Sequence, residues 1–214
     1  MSPDVLAHNL AWKLAAVVPG QAGPVLLETY ELERRPFARS LVNTTDRVFG
    51  VISAEGPWAR RLRGKWLPAL LGRVLGGTRR RALPGRFLFG LLSQLRLGYP
   101  HSPLSVGRAG AVRGGERLPY VPGSGNFDAL RAPGPQLHVY GVPSPEVLDW
   151  TARRGDVALR AFSFSGAARR AGLAGDAAYL IRPDGYVSVA QPRFDGPALD
   201  EVLRSRWHWP SPPA

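Results

Sequence analysis

The residues able to do chemistry in this chain are scattered. His8, His101, His138 and His208 show no HxH or HxxxH pairing, so they lack the spacing of a metal site or a proton relay. Asp176, Asp184 and Asp195 sit in turn contexts, where a carboxylate bonds nearby backbone amides. Ser163 and Ser165 lack the G-x-S-x-G elbow that would expose a nucleophile. Gly107-Arg-Ala-Gly110, Gly114-Gly115 and Gly123-Ser-Gly125 lack the strand before and helix after that a dinucleotide phosphate loop requires. The chain has no cysteine. Disulfides, thiolate catalysis and Cys-ligated zinc or iron–sulfur centres are therefore excluded, and a reducing compartment suits it.

A chain of 214 residues, 44% of them hydrophobic, buries a real core as one large or two small domains. The formal charge of +12 invites a nucleic-acid or anionic-membrane partner. However, 26 of the 28 basic residues are arginine, beside 25 Gly and 21 Pro. Coding composition explains that bias as well as selection for a basic face does. The apolar run Leu14–Val18 is too short for a signal peptide, and stretches such as Phe87–Leu92 fall far below the ~20 residues of a membrane span. The expectation is a cytoplasmic protein with no nucleic-acid partner and no integral membrane association.

The elements follow from caps and periodicity. Ser2-Pro3-Asp4 opens a helix over Pro3–Val18, with Leu6, Leu10, Leu14 and Val17 at helical spacing. Pro19-Gly20 ends it and Pro24 starts a second, with Val25, Leu26, Leu27 and Tyr30 apolar; Pro36 kinks that helix or begins one running to Ile52. Pro57–Tyr99 reads as basic short helices, with Trp58, Leu62, Trp66 and Leu70 every four residues and a strand at Leu95–Tyr99. The Trp58–Arg81 stretch packs an apolar face into a core or, less simply, lies on an anionic membrane or RNA. Pro100–Gly134 is Gly/Pro/Ser-rich and reads as a linker. Leu137–Val142, Pro145–Arg154 and Val157–Phe164 form strand, helix and strand, implying a parallel crossover. Arg182-Pro183-Asp184-Gly185 closes a hairpin between Ala177–Ile181 and Tyr186–Ala190, and a last helix starts at Pro197.

Two sets of residues carry a family resemblance. Asn9-Leu-Ala-Trp12-Lys13-Leu14, followed by Leu26, Leu27, Tyr30, Glu33, Arg34 and Pro36, resembles the helix pair closing the FAD domain of class A flavoprotein monooxygenases of the p-hydroxybenzoate and phenol hydroxylase type. Arg182, Pro183, Asp184 and Gly185, within Leu180–Val187, resemble the hairpin of that family's C-terminal thioredoxin-like domain, and Gly115–Pro119 resembles its entry. The resemblance implies an α/β (α+β) chain with residues 1–55 as the last helices of an FAD-binding domain and 56–105 as a basic helical connector. It further implies a linker at 106–134 and a thioredoxin-like domain lacking Cys at 135–214.

In the complete family NAD(P)H reduces FAD, which with oxygen hydroxylates an aromatic ring. The strand–GxGxxG–helix unit and the G-D flavin segment have no match here, and Leu6 stands where the family has an acid. The expectation is thus a C-terminal portion, from truncation, a split gene or a mis-called start. Alone it binds no FAD and is inactive, its matched residues packing and capping helices rather than catalysing. Its partners would be a missing or separately encoded FAD-binding half and a second copy in a homodimer. The competing expectation is a stand-alone, non-catalytic interaction module with a thioredoxin-like fold.

Overall fold

The computed structural model describes residues 3–35, 39 and 98–209, with side chains from Ala7 onward. The chain forms two compact units, Met1–Glu33 with Leu97–Ala214, and Arg34–Arg96. Nearly all described residues belong to the first. The expected helices at Pro36–Ile52 and within Pro57–Tyr99, including the Trp58–Arg81 stretch, lie outside the described residues apart from isolated positions.

Two helices begin the chain, α1 at Pro3–Val17 and α2 at residues 25–35. Six strands follow: β1 (Val106–Ala109), β2 (Val112–Arg113), β3 (Gln136–Tyr140), β4 (Ala158–Phe162), β5 (Ala178–Ile181) and β6 (Val187–Gln191). Between and after them come α3 (Pro145–Arg154), α4 (Gly166–Arg170) and α5 (Gly196–Arg206). The sheet runs β2-β1-β6-β5-β3-β4. Pairing is parallel for β3/β4 and β1/β6 and antiparallel for β3/β5, β5/β6 and β1/β2.

Local chemistry explains these elements. Ser144 caps α3 by accepting from the Val147 amide, Pro145 takes the first turn, and Gly155 ends the helix at φ 59°. Ser165 and Asp195 cap α4 and α5 through the amides of Ala168 and Ala198. The hairpin expected at 182–185 joins β5 to β6: the Gly185 amide donates to Arg182 O at 2.9 Å, and Gly185 adopts φ +79°. β3 and β4 are the parallel pair expected from strand, helix and strand.

Residues 106–134, read from sequence as a linker, carry β1 and β2, which sit at one edge of the sheet. Their brevity hides them. Four and two residues, broken by glycines, are too few for an alternation to register.

Both faces of the sheet are covered, so β3, β5 and the first four residues of β6 are buried throughout. On one face Leu137, Val139 and Leu180 meet Trp150 of α3 and Leu199 and Leu203 of α5. Trp12, Ala16 and Leu26 from the first two helices, with Trp207 and Trp209 from the end of the described chain, complete this same core. On the other face Tyr140, Tyr179, Ile181 and Val187 pack with Leu118 and Ala168. The two N-terminal helices are thus built into the sheet's core.

Candidate functional site

On α1, Asn9, Trp12, Lys13 and Ala16 stand at i, i+3, i+4 and i+7 of one helix face, and all four are buried. That stripe faces Glu33 of α2 and the β5–β6 turn. Glu33 is the hub. Its Oε2 accepts from Asn9 Nδ2 at 2.8 Å, Lys13 Nζ at 3.0 Å and Arg182 Nη2 at 3.1 Å. Its Oε1 accepts from Ser102 Oγ at 2.7 Å and Arg182 Nη1 at 2.6 Å.

Arg182 turns a second fork onto Asp184, with Nε to Oδ1 at 3.0 Å and Nη2 to Oδ2 at 2.6 Å. Asp184 also accepts from Trp12 Nε1 at 3.2 Å and Asn9 Nδ2 at 3.1 Å. Two cations and two carboxylates cancel inside an aromatic box. The Arg182 guanidinium lies 5.3 Å from the Trp12 and Tyr99 ring centres and 5.8 Å from that of Tyr186.

Burial and pairing compete for each charge. For Glu33 burial disfavours ionisation, but the Arg182 guanidinium, Lys13 and the Asn9 amide outweigh it and hold the carboxyl at about 2. For Lys13 burial wins, bringing the ammonium down to about 8 although Glu33 pulls the other way. Burial also works against the Arg182 charge, yet Asp184 and Glu33 raise its pKa beyond the ordinary arginine value.

The matched motif residues thus separate into groups. Asn9, Trp12, Lys13, Glu33, Arg182 and Asp184 converge on one another. Tyr30 stands 6.0 Å from Lys13 Nζ through its ring, and Gly185 closes the turn. Arg34 is buried, Pro183 borders a groove beside α1, and Pro36 lies outside the described residues. Sequence reasoning missed Ser102, whose lone hydroxyl has no pattern to announce it. It also missed Trp207 and Trp209, whose size and alternation were available signals for a core segment.

The remaining candidates do structural work. His8, His101 and His208 are exposed, while His138 is buried. His138 Nε2 meets Gln136 Oε1 at 2.9 Å, and burial with the Arg160 charge brings the imidazole down to about 3. No cluster of three or more metal-ligating side chains occurs among the described residues. Asp176 Oδ1 accepts from the Val142 amide at 3.0 Å, the backbone role expected of a turn acid.

Gly107-Arg-Ala-Gly110 and Gly114-Gly115 are packed against neighbouring backbone. A Cβ on Gly107 would collide with the Ala190 carbonyl, and one on Gly114 with the Val106 amide, so each space is filled by neighbouring backbone. Ser124 bonds Val121 O and the Asn126 amide within its own turn. No described helix is long and apolar enough to cross a membrane.

The FAD binding domain family matches residues 6–45, which take in α1 from residue 6 onward and α2. Anhydrotetracycline monooxygenase of Streptomyces rimosus is 33% identical over 97% of this chain and 39% of its own length. A 3-(3-hydroxy-phenyl)propionate/3-hydroxycinnamic acid hydroxylase of Mycolicibacterium smegmatis is 51% identical over 28% of this chain and 10% of its own. Among solved structures, the OxyS anhydrotetracycline hydroxylase from Streptomyces rimosus superposes with a TM-score of 0.66 at 30% identity, over 98% of this chain and 40% of that one. The chain therefore spans about 39% of the length of the curated relatives it matches end to end.

Proposed function

We propose, from the chain's membership of the FAD-dependent aromatic hydroxylase family and its partial span of that family's length, that it supplies the C-terminal, non-catalytic portion of such an enzyme. The observation that carries this reading is the fate of the motif residues. Asn9, Trp12, Lys13, Glu33, Arg182 and Asp184 bond one another in a buried, charge-neutral network. The side chains of Lys13, Glu33, Arg182 and Asp184 are 2% exposed or less, which supports a positioning role for them.

This reading assigns no FAD contact to the described residues. Gly107, Gly110, Gly114 and Gly115 are packed against neighbouring backbone, and the charges of Lys13, Glu33, Arg182 and Asp184 are paired with one another. The flavin would be held by the remainder of the FAD-binding domain, and its substrate would be an aromatic compound. The portion from β3 to α5 is read as thioredoxin-like. Support comes from its order of strand, helix, strand, helix, two strands and helix, with the sheet order β6-β5-β3-β4 and β3 parallel to β4. Lacking cysteine, that domain serves packing and assembly rather than disulfide exchange.

The test is a visible absorption spectrum of the purified chain after incubation with FAD and desalting. The reading expects no retained flavin; a stoichiometric flavin band would overturn it.

A further inference from the structure

The buried stripe of α1 leaves its opposite face to account for. Ala7, Ala11, Leu14 and Ala15, continued by Val18 just past the helix end, recur by three and four residues, and all are exposed. Leu14 is 40% and Val18 80% exposed. A solvated helix face ordinarily carries charge; these five positions carry none. Alongside runs a groove of about 510 Å³, lined by Ala11, Ala15, Pro133 and Trp209 together with the polar His8, Gln21 and Arg131. The stripe is an apolar surface of the kind that marks an interface, and the groove adjoins it through Ala11 and Ala15.

Resting on the reading above, we infer that this surface is the seat of the remaining part of the FAD-binding domain, on whichever polypeptide that part is carried. The family match places α1 inside that domain, at residues 6–45. The relatives extend well beyond the 39–40% of their length that this chain covers. The inward face of α1 is already filled by Glu33, Arg182, Asp184 and Trp207. The rest of its own domain is left the outward one, bounded by Val25 and Leu32 of α2, which are 43% and 56% exposed.

The experiment replaces the segment of the Streptomyces rimosus monooxygenase that aligns with this chain by the full 214 residues, and reads FAD per protein by absorbance after desalting. The parent chimera should retain FAD. Leu14→Asp with Val18→Asp should weaken retention about tenfold or more, as charge enters a buried apolar contact, while the isolated chain keeps its unfolding midpoint. Should that pair unfold the isolated chain, Leu14→Gln with Val18→Ser provides the milder version.

A parent chimera that never holds flavin would overturn the proposed function and this surface with it. A variant chimera as yellow as its parent would overturn the surface alone. An isolated chain that sediments as a dimer, dispersed by the Asp pair, would assign the face to self-association instead.

Discussion

Glu33 accepts from four different side chains, and its worth to the fold depends on all of them. Glu33→Gln keeps the shape but leaves Lys13 and Arg182 facing Asp184 alone, one buried positive charge in excess. Breaking a buried pair from one side costs about 3–5 kcal/mol, so denaturant unfolding should place this variant that far below the parent. Adding Lys13→Met restores neutrality. The double variant should therefore be less destabilised than the two single changes summed, and strict additivity in the cycle would refute the coupling.

The sign with pH is fixed by the same group. Glu33 sits at about 2 when folded against an ordinary 4.5, so the unfolded chain binds its proton first as pH falls. Its contribution is complete above about pH 4.5 and drains away towards pH 2. The parent should lose stability steeply across that window, and Glu33→Gln should lose less there, which unfolding midpoints measured from pH 5 to pH 2.5 will reveal. An acid limb of equal slope in both proteins would remove Glu33 as its source.

At the level of elements, what could be read in advance had a local cause. Pro145 after a capping serine marked α3, and Arg182-Pro-Asp-Gly185 marked its hairpin, because each pattern fixes its own backbone. β1 and β2 had no such mark. They exist because neighbours accept them: β1 pairs with β6 through Val106↔Val189 and Gly107↔Ala190, a relation between residues more than eighty positions apart in sequence. The network was legible as motif residues but not as a network, since nothing in a sequence says that positions 9, 33 and 182 meet.

Gly107 tests the edge. Its φ of +72° and its approach to the Ala190 carbonyl leave no room for a side chain. Gly107→Ala should therefore cost about 1–3 kcal/mol or detach β1. Hydrogen exchange at Gly107 and its β6 partners will separate the two, with unchanged exchange and stability refuting the argument.

For the whole molecule, the boundary that matters is physical rather than homologous. α1 and α2 match an FAD-binding domain, yet their buried face completes the core of the sheet. Trp12 lies 5.2 Å from Trp207, ring centre to ring centre, and the Gly23 amide donates to His208 O at 3.0 Å. The basic excess belongs elsewhere: eleven of the 28 basic residues but only two of the 16 acidic ones fall in residues 40–97.

It follows that the C-terminal sheet cannot be separated from the helices. A chain beginning at Gly98 would lose Glu33 and Lys13 together, would strip Trp12 from the box around the remaining Arg182–Asp184 pair, and would open Trp207 and Trp209 to water. Burial of each such aromatic contributes about 3 kcal/mol or more. Together these approach the 5–15 kcal/mol by which whole domains are stable. The truncated chain should lose its near-ultraviolet dichroism, bind a hydrophobic dye and unfold without a cooperative transition, whereas in the 214-residue chain the unit that holds these aromatics should unfold cooperatively. A truncated chain with a sharp transition and native aromatic dichroism would mean that the helices are passengers on an independent domain, and that the Glu33 network joins two bodies rather than building one.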